Sequence, residues 1–268
     1  MIARLNMQVL KAHKTPPRSV TLWWLGQAGF LLKSPDDKLI ALDPYLSNSC
    51  KAIGDQCGFD MDRQFPVTIA AAELVGIDAY LFTHSHQDHL DPETLTGYRA
   101  AGGRGPYFAP AETYEKLHSL GVPPSETTMI WPNKEVRLGD LTIRATFAVP
   151  FAGDDLTHVG YLISVTDGPK AYFTGDTADC ELLSLAMEPH KPDVLVTVIN
   201  GAFRNLGPAE AARLAKQLGV KIVIPCHHDM FLDNCQPPQM LHTNLKLQGI
   251  GDRYRLLRHG EPFDFSLA

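Results

Sequence analysis

One seven-residue stretch, Thr83-His84-Ser85-His86-Gln87-Asp88-His89, constrains this chain more than any other feature. It follows the apolar run DAYLFTH (78–84), which reads as a buried strand. After it come Asp91-Pro92, an N-cap with proline at the first helical position, and the helix-forming PETLTGYRAA. Three imidazoles and a carboxylate at a strand end suit a borderline divalent metal, which takes nitrogen from His and oxygen from Asp. In extended backbone His84 and His86 point to the same side and can share one ion. Asp88 and His89 fall where the chain turns and can face a second. Chance places such a motif in about one chain in a thousand of this length, so plain turn residues are the alternative to beat.

The surrounding pattern is that of layered sheets. TLWWLG (21–26), GFLLKS (29–34) and KLIALDP (38–44) are short, rich in strand formers and separated by turn signals, a strand meander. The poorly patterned stretch 45–66 follows, long enough to be a flap or substrate loop. YFAP (107–110) leads into the helix AETYEKLHSLG. EVRLGDLTIRATFAV, HVGYLISVTDG and KAYFTGD then return to antiparallel-looking strands. DVLVTVI, the helix PAEAARLAKQLG closed by glycine, and the strand KIVIPCH alternate again. A helix around PQMLHTNLKLQG and a strand DRYRLLRHG are expected to close the chain. Strand meanders with late helices in both halves suggest an α/β (α+β) chain of two mixed sheets with helices outside, a four-layer αββα sandwich. A doubly wound α/β fold stays open on pattern alone. No repeat or linker divides the 268 residues, so one domain is expected, with its core at about 20–258.

Further donors stand at other strand ends. Asp176, in Phe173-Thr174-Gly175-Asp176-Thr177, sits beside a glycine that permits a sharp turn, and its two oxygens can bridge two cations. As a lone strand-end Asp it is equally an ordinary turn residue. His227 and His228 follow the apolar Ile224-Pro225-Cys226, and Asp43 ends the third apolar run. Asp43 suits the role of holding a ligand histidine from behind. Donors at so many strand ends suggest convergence on one rim.

In this order and spacing, WWLGQAG, LDPYL, HSHQDH, TGDT and IPCHH resemble the metallo-β-lactamase fold superfamily, over roughly residues 20–230. Within it the resemblance is closest to the L-ascorbate-6-phosphate lactonase branch. The resemblance implies the αββα architecture and a two-metal site. His84 and His86 would bind the first ion, Asp88 and His89 the second, Asp176 would bridge, and His227 would complete the second set. His228 is left for substrate contact or for support behind the ligands. One departure stands out: superfamily members supply another histidine to the first ion from the segment before the GYLI-type strand, and none directly follows Val149-Pro150 here. Asp154, Asp155, His158 or water would replace it, and an oxygen-richer shell would favour manganese over zinc. His13, His118, His190, His242 and His259 read as structural, and Trp23-Trp24 as core.

The expected activity follows. Two divalent ions (Zn or Mn) would activate water, with Asp88 orienting it and carrying its proton. A lactone or carboxylic ester of a small acidic or phosphorylated metabolite leads among substrates. A phosphodiester or nucleic acid is the second reading, and a metal-binding protein without catalysis the third. The net charge of −6 argues against a broad nucleic-acid surface. Segments 45–66 and 200–208 are expected to line the pocket, with Arg63 and Arg204 as candidate anion clamps against the plain reading of solvated surface residues. Five cysteines without a CxxC pair suggest a reducing compartment, and no apolar run reaches membrane-spanning length. A cytoplasmic protein acting on a small molecule, with self-association left open, is the expectation.

Overall fold

The computed structural model describes residues 5–150 and 156–267. After a short N-terminal helix, α1 (Met7–Ala12), the expected meander forms as β1 (Ser19–Gly26), β2 (Gly29–Lys33) and β3 (Leu39–Leu42). Helix α2 (Cys50–Cys57) then occupies the segment expected to be loop, closed by Gly58 in the left-handed region at φ 78°. β4 (Ala79–Leu81), α3 (Pro92–Ala100), β5 (Tyr107–Ala109), α4 (Ala111–Ser119) and β6 (Thr127–Met129) follow, and β3 through β6 pair in parallel. Asp91 caps α3 by accepting from Glu93 N at 3.1 Å, with Pro92 next, as the sequence implies.

The second half repeats the scheme. β7 (Glu135–Leu138), β8 (Leu141–Phe147), β9 (Val159–Val165) and β10 (Lys170–Phe173) are antiparallel neighbours. Helix α5 (Glu181–Met187), β11 (Val194–Val198), α6 (Pro208–Leu218), β12 (Ile222–Cys226) and α7 (Pro238–Leu247) complete it, β10, β11 and β12 being parallel. The last strand, β13 (Pro262–Ser266), returns to the first sheet and pairs antiparallel with β1.

The sheets run β13-β1-β2-β3-β4-β5-β6 and β12-β11-β10-β9-β8-β7. Along β1 alternate side chains enter opposite layers. Val20, Leu22 and Trp24 join the core between the sheets, while Trp23 and Leu25 join a second core under α1, α3 and α4. Burial on both faces explains why β1 is apolar almost throughout rather than alternating. Each large side chain so buried contributes about 1.5–3 kcal/mol, and both tryptophans belong to the core.

The closing strand is a correction. DRYRLLRHG forms one tight turn (Gly251–Arg253) and isolated bridges from Tyr254 to Val223 and from His259 to Trp24, not a strand. The strand is PFDFS instead, half-buried at alternate residues on the sheet edge beside β1. Its two phenylalanines pack on the inter-sheet core, so the ordered sheet extends beyond residue 258.

Candidate metal centre

Parallel pairing of β3 with β4 and of β10 with β12 through β11 brings the C-terminal ends of these strands to one rim. β9 runs antiparallel to β10, so the start of β9 lies at that rim too. The sheets are tied together there: Val159 N donates to Thr83 O at 3.0 Å, His227 N to Gln27 O at 2.9 Å, and the Tyr161 hydroxyl to Phe82 O at 2.7 Å. Gly175, at φ 61°, permits this approach, since a Cβ there would lie 2.6 Å from the Val159 carbonyl oxygen.

At this rim the donors meet in three groups: His84, His86 and His158; His84, His89 and Asp176; and Asp88, His89 and His227. Within each group one donor atom per residue lies within 4.8 Å of the others. Asp176 spans the arrangement, with Oδ1 3.3 Å from His89 Nε2 and Oδ2 3.5 Å from His227 Nε2. Asp88 Oδ2 is 3.2 Å from His227 Nε2 and 3.6 Å from His89 Nε2. All six residues expected from the sequence are therefore gathered at one place.

His158 joins them. Its ring centroid lies 3.8 Å from that of His84, and its Nδ1 lies 3.1 Å from Asp176 O, which leaves Nε2 as the donor for an ion. Of the three residues expected to replace the missing histidine, Asp154 and Asp155 lie outside the described residues. His158 supplies a third imidazole, and the reason it is hard to find by motif is its place immediately before β9 rather than directly after Val149-Pro150.

The ligands are held from behind. Asp43 Oδ2 lies 2.8 Å from His89 Nδ1 and 2.5 Å from Thr83 Oγ1, and Asp43 Oδ1 accepts from Thr83 N at 2.8 Å. Thr83 Oγ1 also contacts His84 Nδ1 at 3.0 Å. These contacts fix Nε2 of His84 and His89 toward the rim. Gln27, in the turn between β1 and β2, donates from Nε2 to Asp88 Oδ2 at 2.8 Å and is wholly buried. Sequence reasoning misses Gln27, although a polar residue in the G-Q-A-G turn between two apolar strands is a usable signal.

Burial and the facing carboxylates shape the protonation here. Burial lowers the His84 imidazole far below its ordinary value, helped by His89 and His158. Burial would also lower His227, but the carboxylates of Asp176 and Asp88 raise it to about 9. His89 is raised for the same reason, by Asp88, Asp176 and Asp43 against burial. Burial raises the two carboxyls, but the imidazoles beside them outweigh it and hold both below the ordinary range. The carboxylates thus draw positive charge inward. His89 Nε2 and Asp176 Oδ1 are buried without hydrogen-bond partners although they face each other. A divalent cation fits this donor set, replacing protons on His89 and His227.

The other expected residues divide. Segment 45–66 and residues near 203 do line the cavity over the donors, through Cys50, Ile53, Phe59, Met61, Phe203 and Asn205. Asn205 Nδ2 donates to Asp176 Oδ2 at 2.6 Å. His228 points elsewhere: its Nδ1 pairs with Asp229 at 2.7 Å and its ring packs on Trp24. Arg63 is not placed as an anion clamp. Its Nε donates to Phe65 O at 2.7 Å and its Nη1 to Tyr45 O at 2.8 Å, which pins the segment to itself. Arg204 is exposed and does not line the cavity.

Two mixed sheets with helices outside and His/Asp donors on a shared rim define a metallohydrolase of αββα architecture. The model of the beta-lactamase superfamily domain matches residues 40–228. A UPF0173 metal-dependent hydrolase of Myxococcus xanthus is 31% identical over 231 residues, 82% of this chain and 74% of its own. A Salmonella heidelberg protein named probable L-ascorbate-6-phosphate lactonase is 24% identical over 276 residues, 89% of this chain and 77% of its own. The fold matches the crystal structure of isothiocyanate hydrolase from Delia radicum gut bacteria with a TM-score of 0.73 at 18% identity, covering 92% of this chain and 100% of that one. The chain belongs to the beta-lactamase superfamily and is one of its metal-dependent hydrolases.

Proposed function

We propose that the chain holds two divalent cations and hydrolyses a lactone or carboxylic ester of a small molecule. The observation that carries this reading is the linkage of the three donor groups through His84 and His89, with Asp176 between the sets. His84, His86 and His158 would hold one cation, Asp88, His89 and His227 the other, and Asp176 both. Three imidazoles in the first set suit zinc, so the expected oxygen-rich, manganese-favouring first site is not carried forward. Two cations held there would lower the pKa of water toward neutrality and polarise the oxygen of the scissile bond.

The protein's own residues supply the rest. Asp88, its Oδ2 steadied by the Gln27 amide, accepts the proton of the attacking water and returns it to the leaving oxygen. A C–O bond forms from water to the acyl carbon, the acyl–alkoxy C–O bond breaks, and the alkoxide takes the proton, with no redox change. Asn205 keeps Asp176 Oδ2 in place. The lactonase name of the 24% identical relative supports an acyl substrate over a phosphodiester. So does the scarcity of cationic side chains lining the cavity among the described residues, where Lys116 is the one beside the histidines.

The test is metal analysis of purified protein with a hydrolysis screen over lactones, thioesters and phosphodiesters. Lactones or esters should be cleaved, and Asp88→Asn, loaded with metal, should lose about 10²–10⁴-fold in kcat. Cleavage of phosphodiesters alone, or wild-type turnover by the variant, would overturn the reading.

A further inference from the structure

The cavity over the donors has two unlike walls. Its volume is about 490 Å³. One side is the polar rim itself. The other is apolar, made by Ile53 of α2, Phe59 and Met61 just after it, and Phe203 from the connection between β11 and α6. Ile53, Phe59 and Phe203 are 39%, 44% and 51% exposed, so in the free protein these side chains face open space rather than a packed core. Phe59 and Phe203 come from distant parts of the chain, yet their rings stand 6.1 Å apart at 61°. Phe203 and Arg204 both hold positive φ, 52° and 64°, a conformation uncommon for bulky residues. The turn that holds them is closed by Asn205 N on Ala202 O at 2.9 Å.

Among the described residues, anion recognition is poorly provided for. A phosphate or carboxylate on the substrate calls for an arginine fork or an ammonium aimed at it. Lys116 Nζ already donates to Ser85 O at 2.6 Å, and Arg63 is turned to main-chain carbonyls.

Resting on the hydrolytic reading above, we infer that the substrate is an uncharged lactone or ester carrying a bulky apolar substituent, aryl or branched alkyl, seated against Phe59 and Phe203. A phosphorylated or otherwise anionic acyl compound is disfavoured. The polar rim receives the carbonyl, and the apolar wall receives the substituent.

The experiment compares two matched lactones on the metal-loaded protein: γ-butyrolactone with a 2-phenylethyl group at C5, and the same ring with a phosphooxymethyl group there. Binding of the unreactive γ-lactam of the phenylethyl compound is measured by calorimetry alongside. The phenylethyl lactone should be favoured at least tenfold in kcat/KM. Phe59→Ala and Phe203→Ala should each shrink that preference and weaken lactam binding about tenfold, equal to about 1.4 kcal/mol. Preference for the phosphorylated lactone, or lactam binding untouched by both substitutions, would overturn the inference. Turnover of neither lactone, with lactam binding still dependent on the two phenylalanines, would sink the lactone reading while leaving the apolar ligand class standing.

Discussion

Two cavities of nearly equal size, about 490 and 500 Å³, adjoin at the end of β12, with His227 lining one and His228 the other. Both contain histidines and carboxylates, and they differ in how those groups are arranged. In the first, donors flanking the ends of β4, β9, β10 and β12 form three linked groups, each with its donor atoms within 4.8 Å of one another. In the second, His228 and His259 pack against Trp24, at 4.6 and 4.1 Å between ring centroids, and Phe65 covers His259. There, His228 pairs with its neighbour Asp229 instead of joining a group. Histidine content does not make a metal centre. What matters is strand ends that aim several imidazole nitrogens at one point while Thr83, Asp43 and the Asp176 carbonyl hold the opposite Nδ1 of His84, His89 and His158.

The pair of consecutive histidines is the sharpest way to break this comparison. His227→Ala should lower kcat/KM by at least about a hundredfold, a loss no smaller than those seen when a group behind a ligand is removed. His228→Ala should keep activity within about threefold and lower stability by about 1–3 kcal/mol, as a buried ring leaves a cavity. Paired kinetics and thermal melts of the two variants check this, and equal losses of activity would erase the distinction between the cavities.

A smaller effect is expected one layer back. Asp43→Ala frees His89 Nδ1 and Thr83 to turn, and metal affinity should fall about 10–100-fold with little change in the fold of the sheet. Competition against a chelator reads this directly. Unaltered affinity would mean that packing alone orients His89.

How far the chain could be read without coordinates varies along it for physical reasons. The HSHQDH stretch, Asp176 and His227 were legible because each ends an apolar strand, and Asp43 because it ends β3. The sequence does not separate His158 from Asp154 and Asp155, because its place depends on the cross-sheet bond from Val159 to Thr83, a contact between residues 76 apart in sequence. The divergence of His227 from His228 was hidden for a similar reason: His227 adopts φ 57°, and the sequence carries no glycine there to announce the turn. Helix α2 is hard to see in the sequence because it is short and buries only Cys50 and Gly54, with Lys51, Ile53, Asp55 and Gln56 all exposed, so no periodic pattern of buried apolar residues marks it. The sequence suggests the edge strand some residues early because Leu256 and Leu257 are the stronger apolar pair, whereas the ladder of β13 beside β1 takes Phe263 and Phe265.

The second cavity makes its own, gentler prediction. Burial pushes His259 down from 6.5 to about 4, with His228 and Arg63 adding to it. The unfolded chain therefore binds more protons than the folded one between these values, so this contribution is complete above pH 6.5 and is lost as pH falls toward 4. The loss is at most about 3 kcal/mol at 1.36 kcal/mol per unit. Denaturant unfolding from pH 7 to pH 4, compared with His259→Gln, isolates it. A variant with the same pH slope as the wild type would remove His259 as the cause.

The most direct measurement is the number of tightly held divalent ions per chain, by elemental analysis after dialysis, in the wild type, His158→Ala and His227→Ala. The arrangement at the rim predicts about two ions in the wild type and about one in each variant, with the remaining ion in His158→Ala held by Asp88, His89 and His227. A single ion in the wild type that survives His158→Ala or His227→Ala unchanged would contradict it.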